Sequence, residues 1–156
     1  MTKPRMTSPA LTVPGAMDAL QMLSTAAHHG DVPPVLLELV HARVGQINGC
    51  SVCVDMHTRA LRSLGESDAR IFSLAVWREA SYYTDAERAA LALAEAATRL
   101  ADRPDAVDDA VWAAAARQFG EAALAGLVLS IGLANLWNRL NATTRQVSGD
   151  WVATYV

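Results

Sequence analysis

What this sequence has little of narrows its chemistry before any motif is read. Only two of its 156 residues are cysteine, and both lie within four positions, at Cys50 and Cys53. So close a pair in a reducing compartment points to redox chemistry or metal binding more than to a structural staple. Basic charge is in the minority, with 13 Lys and Arg against 16 Asp and Glu, and no run of Lys or Arg breaks that balance. Phosphate neutralisation needs such a run or patch, so nucleic acid is not an expected partner. Residues 1–14 are interrupted by Pro, Ser and Thr, and no apolar h-region follows them. They carry no secretion signal and are expected to form a flexible N-terminal arm, which makes a cytoplasmic location the expectation. A bilayer span needs roughly 20 apolar residues. The most apolar stretch, Ala122–Trp137, has 16 and includes Ser130 and Asn135, so it is expected to be a buried or interface helix with no membrane partner. Strand-like alternation, clustered β-branched residues, repeats and low-complexity tracts are also lacking, which removes any competing β reading.

Alanine and leucine at helical spacing dominate what remains. With 52% hydrophobic and 19% charged residues, the chain can bury a core and has apolar surface to spare, so a homo-oligomer is expected. The pattern predicts one all-α domain over residues 15–156, a bundle of six or seven helices joined by short turns. The first fits Ala16–Ala27, stopped at His28-His29-Gly30, and the next starts at Pro33-Pro34, which suits a first helical turn. Asn48-Gly49 ends that helix, and Cys50-Ser51-Val52-Cys53 opens a third that runs to Leu64. Ser67 is placed to cap a short helix toward Ala75, and Thr84-Asp85-Ala86-Glu87 has capping-box spacing ahead of Arg88–Leu100. Asp108–Phe119 and Glu121–Leu140 complete the set.

Cys50, Cys53 and His57 are spaced three and four apart, so a helix brings them onto one stripe at its N-terminal end. The partial positive charge there favours thiolate, and the second sulfur of a Cys-x-x-Cys can resolve an oxidised first one as a disulfide. His57 can take a thiol proton near neutral pH. Glu38, among Leu36, Leu37 and Leu39, can face His57 if its helix packs antiparallel to the cysteine helix; an ordinary ion pair with Arg43 or His41 is the competing reading. Zinc would need a fourth ligand beyond Cys50, Cys53 and His57, and Val54 stands where haem attachment requires histidine. Inert core cysteines are the remaining alternative. His28, His29 and His41 are read as helix-end or solvated residues, and Trp77, Trp112 and Trp137 as core or subunit contacts. Asp55 reads as a first-turn acid. Phe72, Trp77 and Tyr82 sit on helices that could line a pocket, but apolar residues at such spacing are more often core, and no substrate contact is assigned to them.

The string from Glu38 through Gln46-Ile47-Asn48-Gly49-Cys50-Ser51-Val52-Cys53 to His57 resembles the signature of the alkyl hydroperoxidase D-like proteins of the carboxymuconolactone decarboxylase family. That signature has a Glu twelve residues before a Cys-x-x-Cys and a His four residues after it, and all four positions are filled. Trp77-Arg78-Glu79-Ala80, Tyr83–Leu91 and Asn135–Leu140 extend the likeness over about residues 15–145. The resemblance implies the family's all-helical fold, assembly as trimers or hexamers, and a peroxidase cycle without metal, haem or flavin. In that cycle a Glu–His relay activates the second cysteine, Cys53, which reduces a peroxide, and Cys50 closes the disulfide that a thiol reductant then reopens. Val52 departs from the pattern, since the best-known hydroperoxidases carry histidine immediately before the second cysteine. The decarboxylase branch lacks the cysteine pair, so lactone decarboxylation is not expected. The candidate catalytic residues are therefore Cys53, Cys50, His57 and Glu38. Thiol–disulfide exchange with a protein partner and non-catalytic redox sensing are the alternative functions.

Overall fold

A computed structural model describes residues 3–28 and 31–149. Among these, the chain forms eight α-helices and no strand: α1 (Pro9–Thr12), α2 (Ala16–Ala27), α3 (Pro34–Asn48), α4 (Ser51–Ser63), α5 (Asp68–Ser73), α6 (Asp85–Thr98), α7 (Asp109–Gln118) and α8 (Glu121–Thr144). Seven of them are the expected helices, and the eighth is the single turn α1. The expected stop at His29-Gly30 lies outside the described residues. In the described part of the N-terminal arm, the Arg5 N–H donates to Thr144 O at 2.8 Å and its guanidinium to Thr143 O at 2.9 Å. Those carbonyls end α8 and lack helical partners of their own, so Arg5 satisfies two of the helix's orphan acceptors.

Local chemistry sets the helix boundaries. Ser67 and Asp108 cap α5 and α7 by accepting from Arg70 N and Val111 N, and Thr84 with Glu87 forms a reciprocal capping box at α6. At the end of α3, Gly49 adopts a left-handed conformation (φ 68°), which a side chain would strain, and the chain reverses at once into α4.

α3 is the pivot of the bundle and packs against α4, α6 and α8. Apolar residues surround it: Leu36, Leu37, Val40 and Val44 join a core with Leu93, Leu127 and Ile131, while Leu39 and Ala42 join a second with Leu61, Leu74, Trp77 and Leu91. A helix buried all round needs neighbours on every side, and α4, α6 and α8 supply them. α8 is long and apolar enough by length and composition to cross a membrane. Its buried residues, among them Leu124, Leu127, Ile131 and Asn138, pack it into the bundle.

Candidate active site

The site forms where the α3–α4 turn meets α8. Cys50 is the N-cap of α4, and its Sγ accepts from the Cys53 N–H at 3.3 Å, so one sulfur sits at the positive end of the helix. Gly45 lets the two helices approach: a Cβ built there would lie 3.3 Å from Cys53 Cβ and from Val54 Cγ2. The turn is held from α8 as well. Asn48 Nδ2 donates to Asn135 Oδ1 (3.0 Å) and Asn138 Oδ1 (2.9 Å), and Asn135 donates on to Thr98 Oγ1 of α6 at 3.1 Å. This partly buried amide network ties the turn to α6 and α8.

Cys50 and Cys53 are joined in a disulfide with their Cα atoms 5.3 Å apart, and both are 2% exposed. Asn141 of α8 points its amide at the pair, with Nδ2 3.5 Å from Cys53 Sγ and 3.9 Å from Cys50 Sγ. One turn along α4, His57 Nδ1 lies 2.7 Å from Glu38 Oε2. In the tautomer that donates its Nδ1 hydrogen to the carboxylate, the Nε2 lone pair is free. The antiparallel α3–α4 hairpin thus joins Glu38 to His57. The competing partners do not take the carboxylate, because Arg43 turns to Glu95 and His41 to Ser130.

Two side chains that sequence reasoning passed over complete the cluster. His41 is half-buried: its ring centroid is 4.8 Å from that of His57, and its Nε2 is 2.6 Å from Ser130 Oγ of α8. Burial, then the charge of His57 and less that of His28, hold His41 well below the usual imidazole range, so it is uncharged at neutral pH. Its signal was present as Glu38-x-x-His41, one helical turn that puts both on the same face. Asn141 had no such signal, being 91 residues from Cys50 in sequence. Glu38, His41 and His57 each offer a metal-ligating atom within 4.8 Å of the others.

A cavity of about 270 Å³ opens onto this cluster. Its lining includes Glu38, His41, His57, Cys53 and Asn141 together with apolar side chains such as Met17, Leu20, Leu133 and Trp137. Cys53 lines it and Cys50 does not. Gln21 and His28, both exposed, stand among its lining on α2. Trp137, expected in core or subunit contacts, is part of the wall, whereas Phe72 and Tyr82 are exposed elsewhere and Trp77 is buried beside Glu95. Trp112 is 46% exposed on α7, and Asp55 pairs with Arg59 one turn on at 2.8 Å.

The model of the carboxymuconolactone decarboxylase family matches residues 14–96, which include every residue of the Glu–Cys–Cys–His pattern. The chain is 38% identical over 104 residues to the uncharacterized protein YdfG of Bacillus subtilis, covering 67% of this chain and 69% of YdfG. It is 42% identical over 59 residues to the alkyl hydroperoxide reductase AhpD of Solibacter usitatus, covering 38% of this chain and 33% of that protein. Among solved structures it resembles ATU0492 of Agrobacterium tumefaciens, a protein of unknown function associated with AhpD and antioxidant defence. That likeness has a TM-score of 0.87 and 30% identity, and covers 95% of this chain and 99% of the other. The two share the AhpD-like fold.

Proposed function

The chain belongs to the carboxymuconolactone decarboxylase family, as an AhpD-like member, and we propose that it is a thiol peroxidase that reduces peroxides through a Cys50/Cys53 dithiol–disulfide cycle. The observation that carries this reading is that Cys53 lines the cavity together with a Glu38-bound His57 while Cys50 lies behind it. In the reduced enzyme His57 Nε2 takes the Cys53 thiol proton, and Glu38 holds the imidazole in the tautomer that can do so and offsets the charge that develops. The Cys53 thiolate attacks the distal peroxide oxygen. The O–O bond breaks, the leaving alkoxide takes the proton from His57, and the products are an alcohol and a Cys53 sulfenic acid. Cys50 then attacks that sulfur, water leaves, and the disulfide forms; two electrons and two protons from a thiol reductant restore the dithiol. The Asn141 amide favours whichever sulfur is anionic.

Access decides between the two sulfurs. The helix N-terminus, which favours Cys50, acts on a residue that a substrate in the cavity does not meet. Burial of both cysteines also favours a small oxidant over a protein disulfide, whose sulfurs would have to reach 2%-exposed residues. Apolar side chains left exposed on α2 and α8, including Met22, Leu23, Val128, Leu129 and Leu136, support a homo-oligomer, with the trimer or hexamer of the resemblance as the expected size. A cytoplasmic location completes the proposal.

The test is stopped-flow oxidation of the reduced protein by cumene hydroperoxide and by hydrogen peroxide, with free thiols counted. Loss of two thiols per chain, much faster than for a free thiol at the same pH and absent in Cys53→Ser, is the expected result. A wild type that reacts no faster than the free thiol overturns the reading.

A further inference from the structure

The peroxidase proposal uses Glu38, His57 and the two cysteines, and leaves one half-buried imidazole without a task. His41 stands against His57 with centroids 4.8 Å apart and lines the same cavity as Cys53. From the sequence, zinc lacked a fourth ligand beyond Cys50, Cys53 and His57. The fold changes that count by bringing two residues of α3 to the cysteine helix, and it does so on the cavity side, where Cys53 is found and Cys50 is not.

We propose that the reduced protein binds one divalent transition-metal ion, with Zn²⁺ the best match, through Glu38, His41, His57 and the Cys53 thiolate, and that oxidation of Cys53 releases it. Two imidazoles, one carboxylate and one thiolate form the mixed N, O and S donor set that tetrahedral zinc accepts. Glu38, His41 and His57 already hold ligating atoms within 4.8 Å of one another, and Cys53 lines the same cavity. Ser130 Oγ, 2.6 Å from His41 Nε2, is the outer partner that a metal-bound imidazole commonly has and steers the ring. Coordination through His57 Nδ1 moves the hydrogen shared with Glu38 Oε2 to His57 Nε2, and the Cys53 thiol proton is released to solvent, so binding is redox-neutral and releases one proton. The disulfide removes the thiolate, leaves three ligands and weakens the site. The consequence for regulation rests on the peroxidase reading: zinc occupies the proton acceptor and the nucleophile together, so the metal-loaded dithiol is held out of the cycle.

Reduced and oxidised full-length protein are each equilibrated with Zn²⁺ alone and with Co²⁺ alone, and bound metal is counted per chain. The expected result is one ion per reduced chain in wild type and in Cys50→Ser, with a thiolate-to-cobalt charge-transfer band. Affinity is expected to be at least about tenfold weaker in oxidised protein, in His41→Gln and in Ser130→Ala. Ser130→Ala keeps every proposed ligand and serves if His41→Gln does not fold. Metal that binds independently of His41 and Ser130 but is lost in Cys50→Ser identifies a dithiolate clamp and overturns the site, as does absence of stoichiometric binding. Iodoacetamide labelling of Cys53 in the Cys50→Ser variant should slow in proportion to bound zinc, and undiminished labelling of metal-loaded protein also overturns the site. Neither measurement uses peroxide, so their failure is distinct from failure of the peroxidase reading, which stopped-flow oxidation without metal reports.

Discussion

Glu38 and Glu95 are both helix carboxylates with basic partners, yet their surroundings differ in kind. Glu95 is 7% exposed and meets Arg43 Nε at 2.7 Å, Trp77 Nε1 at 2.9 Å and Arg78 Nη1 at 2.5 Å. Burial pushes its pKa up, but the hydrogen bonds from Trp77, Arg78 and Arg43 and the Arg43 charge outweigh burial and hold it below the usual carboxylate range. Such a group stays ionised and closed to exchange, and it joins α3, α6 and the segment after α5. Glu38 has one imidazole partner and opens on a cavity. A single imidazole partner suits the relay of the proposed peroxidase cycle; three permanent donors make a clamp.

The comparison is broken most directly by removing each carboxylate in turn. Glu95→Ala leaves two guanidiniums without their shared anion and should lower unfolding free energy by about 3–5 kcal/mol, read by urea denaturation. The peroxide rate per folded chain should stay within about twofold of wild type. Glu38→Gln should reverse the pattern, slowing thiol oxidation by about 10²-fold and altering its pH profile while changing stability by less than about 1 kcal/mol. Partial recovery in Glu38→Asp would mark the carboxylate itself as the cause. If Glu38→Gln unfolds the protein and leaves the rate intact, Glu38 is a second Glu95. Asn141→Ala should have a smaller effect, an oxidation rate lowered about tenfold, with the Cys53 pKa raised in a pH series of iodoacetamide labelling, because an amide donor to a thiolate is lost. The smallest effect is on the acid limb of stability. The folded pKa of Glu95 lies below its unfolded value of about 4.3, so its contribution is complete above that pH and is lost as pH falls through the folded value. Glu95→Gln should therefore flatten the stability–pH slope below about pH 4.3, as followed by urea midpoints.

Much of the candidate site was legible because its signals are local. Cys50, Cys53 and His57 share one helix stripe, and Gly49 places them at its start. Glu38 lies on the preceding helix, and a two-residue turn forces an antiparallel return, so its meeting with His57 followed from the hairpin. The long helices were legible from period and caps, while α1 was not, since one turn carries too little pattern to read. Arg43 shows where local reasoning stopped. It is five residues from Glu38 and a plausible partner by proximity, yet it belongs to Glu95, 52 residues away.

The sequence by itself determined the helices, the thiol pair at a helix N-terminus and the face that carries Glu38, because helical period and capping depend on residues within a turn or two of each other. Only the tertiary structure decided that α8 brings Asn141 to the sulfurs and Ser130 to His41, and that Cys53 rather than Cys50 meets the cavity. Those outcomes depend on how α3, α4 and α8 pack around a shared core. Close packing of that core sets which side chain faces which, at sequence separations where no periodicity survives.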